Sequence, residues 1–347
     1  MSEAPPRWWR PHAHADRRPF LKARARMAEA VRAFFAAERF IEVDAAALQA
    51  SPGADAHIAP FQTAFEAPHG AKEPLYLHSS PEFAMKKLLA AGEEKIFSFG
   101  HVFRNAERGR LHHPEFSLIE WYRAKAPYQR LIEDCAGLLA ALARAAGADA
   151  FVHGAASADP FAELELLSVA EAFDRYAGVD LLATLGDRDA LARAAARIGV
   201  RVVADDGWSD LFSKILSVKV EPRLGHERAT ILMDYPASEA ALAQLQNDRR
   251  LAERFELYAC GVELANGFGE LTDAVEQRRR LVAEMEERAR LYGDAWPIDE
   301  DFLDALAHMP PASGVALGFD RLVMLATGAQ RIEQVIWTPL DVGSAAR

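Results

Sequence analysis

Residues 97–122 read FSFGHVFRNAERGRLHHPEFSLIEWY, two alternating runs around a polar, arginine-rich loop. That pattern commits the chain to a long β-hairpin, and so to an antiparallel sheet. Period two places Phe97, Phe99, His101 and Phe103 on one face, and Ser98, Gly100, Val102 and Arg104 on the other. Glu120 and Tyr122 share a face of the return strand. A planar guanidinium beside small neighbours leaves room for a flat, charged ligand. Two readings fit: a site that holds a polyanion beside a cation, or an amphipathic hairpin with a surface arginine and a half-exposed glutamate.

Other segments supply the setting. From Pro19 to Arg39 apolar residues recur at helical spacing, and FIEVDAAAL follows as a short strand. After the strand LYLHS, Ser80 as N-cap and Pro81 at the first position open a helix through Leu89. Tyr128 to Ala146 reads as a helix, and 148–223 as an inserted helical segment without catalytic signal. In RFELYACGVELANGFGEL, a tight turn at Cys260-Gly261 pairs Ala259 with Val262 and sets Tyr258 opposite Glu263. Glu256 then lies diagonally from Glu263, close enough for two carboxylates to share one hard cation; a one-residue slip would leave two exposed glutamates instead. Thr272-Asp273 cap a charged helix, and SGVALGFDRLVMLATG leads a buried strand into a helix with Asp320 and Arg321 in its first turn. Arginine at a positive helix end is unfavourable by about 0.3 to 1 kcal/mol, which a bound phosphate offsets; a plain structural turn fits the glycines equally well.

A net charge of −11 argues against broad nucleic-acid binding, so a polyanion must be met locally. Basic residues cluster at Arg7, Arg10, Arg17 and Arg18, in the hairpin loop, and at Arg278, Arg279 and Arg280. No apolar stretch reaches spanning length and the first residues lack a secretory core, so a cytoplasmic protein away from membranes is expected. Cys135 and Cys260 read as packing residues, and the paired histidines lack a third partner at zinc-ligand spacing.

The helix-strand start, FRNAERGRLHHPEF and GVALGFDRLVML together resemble motifs one, two and three of the class II aminoacyl-tRNA synthetases. ELANGFGELTDA and HHPEFSLIEWY look closest to the lysyl branch, and the likeness runs from about Phe20 to Leu325. Only a short basic extension, residues 1–18, precedes the catalytic domain of 19–347, with no anticodon-binding barrel. The chain is therefore similar to the elongation factor P (R)-β-lysine ligases. The resemblance implies an α+β fold with an antiparallel sheet flanked by helices, a homodimer built around the first motif, and no recognition of a tRNA anticodon. It also implies activation of β-lysine by ATP with Mg²⁺, and transfer to a lysine of elongation factor P. Two rivals are an α-lysine-activating, lysyl-tRNA synthetase-like enzyme and a non-catalytic, nucleotide-binding regulatory paralogue.

By the same resemblance, catalysis falls to Arg104 and Arg321. Nucleotide contacts fall on Arg104, Asn105, Glu263, Leu264, Gly318 and Arg321, and Mg²⁺ on Glu256 and Glu263. Substrate contacts fall on Ser80, Pro81, Glu82, Glu120, Tyr122, Asn266 and Glu270, with Glu270 at the distal ammonium and Glu82 or Glu120 at the nearer one. The sequence also departs from the family pattern. Ala106 follows Asn105 where glutamate is expected, with Glu107 one step later as a substitute, and His113 replaces an asparagine donor on the adenine side. Ala46 stands where the first motif has proline. Ala316 replaces the first glycine of motif three, and its methyl is expected to disfavour α-lysine.

Overall fold

The computed structural model describes residues 7–340. Residues 1–6 of the expected extension and 341–347 of the expected catalytic domain lie outside the described residues. Helix α1 (Pro11–Ala37) begins at Pro11, not Pro19: Pro11 occupies the first turn, where a missing N–H is harmless, and Pro19 lies inside the helix. Residues 11–18 are thus one element with the first motif helix, and Arg17 is buried, bonded to the carbonyl of Ile336. Leu21, Met27, Val31 and Phe35 form the inward stripe of α1.

Short strands β1 (Ile41–Glu42), β2 (Leu48–Gln49), β3 (Phe61–Glu66) and β4 (Lys72–Leu77) precede α2 (Glu82–Ala90). Pro81, not Ser80, is the N-cap, and its carbonyl accepts the Met85 N–H at 3.0 Å. The hairpin forms as β5 (Lys95–Phe103) and β6 (Glu115–Ala124), followed by α3 (Gln129–Ala146). The stretch expected to be helical from 148 opens instead with β7 (Phe151–His153), β8 (Ala156–Asp159) and β9 (Glu165–Ser168). Strands this short carry too few residues to show a period. Helices α4 (Val169–Ala177), α5 (Arg188–Arg197) and α6 (Trp208–Ile215) follow, with a core of their own around Phe173, Leu191 and Phe212. The chain then runs through β10 (Glu227–Arg228), β11 (Thr230–Pro236), β12 (Leu251–Ala259), β13 (Val262–Gly269), α7 (Ala274–Tyr292), α8 (Glu300–Leu306), β14 (Ala312–Gly318) and α9 (Phe319–Thr327).

Eight strands form the main sheet in the order β1-β5-β6-β14-β13-β12-β11-β9, antiparallel except at its two edge pairings. Residues opposite one another share a face, so the register sorts the sheet into rows. One row, Phe99, Ile119, Leu317, Ala265, Leu257 and Ile231, belongs to the main hydrophobic core, together with residues of α1, α3 and α9. The adjacent row points the other way: Ser98, Glu120, Ala316, Asn266 and Glu256. That face is roofed by α2, α7 and α8, whose Phe83, Leu281 and Phe302 pack with Tyr122.

The β12–β13 turn has Cys260 and Gly261 at φ 55° and 71°, and Tyr258 pairs with Glu263 as expected. Beyond that pair the register shifts, because Leu264 is an extra residue on β13. Leu264 and Ala265 both reach the core, and Glu263 and Asn266, three apart, look out on the same side.

Candidate active site

A cavity of about 890 Å³ opens on the polar row. Ser80, Pro81 and Glu82 line it from the start of α2, Glu120 and Tyr122 from β6, Asn266 from β13 and Ala316 from β14. Glu270 sits one layer deeper, its Oε1 2.5 Å from where a Cβ on Gly314 would stand, and the Tyr122 ring also occupies that space. Glycine at 314 is therefore what lets Tyr122 and Glu270 approach each other.

The acidic residues differ in their partners. Glu120, only 2 % exposed, accepts from Ser80 Oγ at 2.6 Å and Tyr122 Oη at 2.7 Å. Burial, and then the neighbouring Glu82 charge, still push its pKa up to about 8. Glu270 is pushed up to about 7 by burial, with the Lys86 charge opposing the shift. Sequence patterning alone gives Lys86 no role at the site. It follows Glu82 by one helical turn, is 1 % exposed, and places Nζ 2.6 Å from Glu82 Oε1 and 2.5 Å from Glu270 Oε2. Its i to i+4 spacing from Glu82 was a signal, but one shared by many surface pairs.

Two acceptors in this wall, Asn266 Oδ1 and Glu270 Oε1, are buried without a hydrogen-bond donor. Buried polar atoms of this kind cost free energy unless something pairs with them, so the pocket is built to receive donors. The Gln277 amide, from α7, is fully buried beside the same cavity and also unpaired.

Arg104 joins this pocket to a second cluster. It lines the cavity, its guanidinium lies 5.1 Å over Phe116, and its Nε is buried without an acceptor. Its charge also reaches Glu263. Arg321, in the first turn of α9, donates to the Glu263 carbonyl at 2.9 Å, lies 3.5 Å from the Glu263 carboxylate, and is 2.8 Å from His112 Nε2. A guanidinium has only donors, so His112 accepts there and is neutral. Gly318 adjoins Arg321, and a Cβ on it would lie 3.8 Å from both Arg321 Cδ and the Leu264 carbonyl. Behind Arg321, Asp320 pairs with buried Arg24 and accepts the Ser117 N–H at 2.7 Å, tying α9 to α1 and β6.

Glu256 and Glu263 face the same side. Glu256 holds Arg254 and Tyr258 Oη, each at 2.6 Å. The half-buried setting of Glu263 and the nearby Glu256 charge raise the Glu263 pKa above the usual carboxylate range. Among the described residues no three His, Cys, Asp or Glu side chains gather into a complete metal cage. Two carboxylates whose charges act on each other, with Arg321 beside one of them, nevertheless fit Mg²⁺, which takes as few as one or two protein carboxylates.

The motif-two loop departs from expectation at His113. That ring is buried, with Nδ1 2.5 Å from the Glu115 carbonyl and Nε2 accepting the Leu340 N–H at 3.1 Å, so neither nitrogen remains for a nucleotide. His112 is the histidine on the site side. Asn105 and Ala106 are exposed, the Asn105 side chain accepting the Ala106 N–H at 2.9 Å, and Ala106 takes φ 63°. Glu107 lies 3.8 Å from Arg104, where it can stand in for the missing acid. The side chain of Leu264 is in the core, which leaves its backbone for any ligand contact.

A profile of tRNA synthetases class II (D, K and N) matches residues 8–341. An elongation factor P–(R)-β-lysine ligase of Salmonella arizonae is 41 % identical over 338 residues, covering 96 % of this chain and 98 % of that protein. The chain belongs to the class II tRNA synthetase family, in the branch of these ligases. The same-named protein of Edwardsiella ictaluri is likewise 41 % identical, over 96 % of this chain and 98 % of its own length. That of Hamiltonella defensa is 40 % identical over 98 % of this chain and 99 % of its own. The mixed α+β architecture, with its large antiparallel sheet, is that of the family's catalytic fold.

Proposed function

We propose that this chain activates (R)-β-lysine with ATP and passes it to a lysine side chain of elongation factor P. The observation that carries this reading is the buried pocket of Glu82, Glu120 and Glu270, with two unpaired acceptors and Arg104 at its edge. Once all three are ionised, three carboxylates against the single Lys86 ammonium leave two negative charges, a match for a guest with two ammonium groups. The names of the full-length relatives point to the same substrate and acceptor.

In the first step the substrate carboxylate attacks the α-phosphorus and pyrophosphate leaves. Arg104 offsets the charge that builds on the α-phosphate, and Arg321, held by Glu263 and His112, takes the triphosphate tail. Glu256 and Glu263 would hold Mg²⁺, which would supply positive charge against the charge of the phosphates. In the second step the acceptor amine attacks the carbonyl carbon, AMP departs, and an amide forms with loss of a proton. Orientation and charge perform the chemistry, without a covalent enzyme intermediate.

The reading includes a cytoplasmic homodimer. Among the described residues no helix is long and apolar enough to cross a membrane. Ile41, on the edge strand β1, and Leu48 are both about half exposed, as a dimer contact at the first motif requires. Sedimentation at micromolar concentration tests that part.

Pyrophosphate exchange with β-lysine, α-lysine and no amino acid tests the activity. Exchange led by β-lysine, with a β-lysyl mass increase on elongation factor P, is the expected result. Exchange only with α-lysine, or none at all, overturns it.

A further inference from the structure

We infer that Lys86 is a specificity-determining positioning residue: a built-in cation that fixes how many ammonium groups the pocket accepts. The inference rests on the diamino-acid reading above. Lys86 does not line the cavity; it lies behind the wall, gripping Glu82 from its own helix and Glu270 from beyond β13. Each carboxylate spends one oxygen on it. Glu270 Oε1 is left on the side of Gly314 and Tyr122, without a donor. Glu120 is held by Ser80 and Tyr122 instead.

The chemistry follows from charge. Glu82, Glu120 and Glu270 are the carboxylates packed around this site, and Lys86 is the ammonium bonded among them. With Lys86 in place, two ammonium groups neutralise the set, whereas a monoamine leaves one carboxylate that must take a proton instead. Lys86 also keeps Glu82 and Glu270 from repelling each other, so their outer oxygens stay aimed at the guest. Without it the pocket demands a third cation or a proton.

The test uses Lys86→Ala, with Lys86→Arg and the charge-balanced pair Lys86→Met with Glu82→Gln as further variants. In Lys86→Ala the KM for β-lysine is expected to rise tenfold or more while the KM for ATP stays within twofold. Ethylammonium chloride, but not sodium chloride, is expected to lower that KM and raise the melting temperature of the variant, with neither effect on the parent. If Lys86→Ala does not fold, the balanced pair supplies the readout: it keeps two negative charges and is expected to bind β-lysine more tightly than Glu82→Gln alone, whose set keeps only one, with ATP affinity kept in both. Unchanged β-lysine KM in folded Lys86→Ala overturns the inference, as does a loss that affects ATP equally or a balanced pair no tighter than Glu82→Gln alone. Arginine at 86 is expected to restore part of the affinity, and a folded Lys86→Arg no better than alanine counts against the inference. A parent that activates no diamino acid defeats the function proposed above, whereas the ethylammonium melting shift, which needs no turnover, still reports on Lys86.

Discussion

Glu120 and Ala316 stand directly opposite each other on neighbouring strands, so one methyl group sits on the pocket floor beside the Glu120 carboxyl. Ala316 is also paired with Asn266 on its other side. Exchanging it for glycine enlarges the floor between the two polar side chains.

Ala316→Gly is therefore expected to raise activation of α-lysine relative to β-lysine by about tenfold, the scale of one methyl-sized group in a binding pocket. Pyrophosphate exchange with each isomer measures it. An unchanged ratio would remove Ala316 from the basis of discrimination.

Glu120 carries a pH signature. Its pKa in the folded protein, about 8, lies above its ordinary value of 4.5, so the folded state binds this proton more tightly than the unfolded one. Stability from this group is full below the ordinary value and falls as pH rises toward 8. Glu120→Gln is expected to flatten the decline in melting temperature over that window and to raise the KM for the diamino acid. A melting profile that keeps its slope would show that another group sets it.

The Arg24–Asp320 pair is buried on both sides, with side chains 11 % and 2 % exposed. Asp320→Ala strands the arginine and should cost about 3 to 5 kcal/mol, read from urea unfolding. Replacing both residues with apolar side chains of similar volume should recover most of that loss.

Arg321→Ala is expected to slow pyrophosphate exchange by about 100- to 1000-fold, the cost of losing one preorganised donor to developing charge, without changing the melting temperature by more than a few degrees. Loss of exchange only through unfolding would speak for a structural role instead.

Much of this site was legible from the residues alone. Cys260-Gly261 fixed the pairing of Tyr258 with Glu263, because a two-residue turn allows one register, and alternation in FSLIEWY joined Glu120 to Tyr122. What stayed hidden depends on contacts between distant segments. Lys86 is spaced like a surface ion-pair partner of Glu82, and only the approach of Glu270 makes it an interior cation. Adjacent histidines give no sign of which one turns inward, and Leu340 decides it by donating to His113. Pro19 imitated a helix start because proline is favoured at that position, although Pro11 had already begun the helix.

The irregularity at Leu264 has a further consequence for how the protein can change. In an evenly pleated strand Glu263 and Asn266 would look to opposite sides, and one strand could not present both to the polar face. Leu264 acts as a phase shifter between them. Pairing it into the ladder without the bulge would turn the acid into the aliphatic interior, whereas deleting it would leave Glu263 and Asn266 two apart and still on one side, at the expense of the core that Leu264 fills.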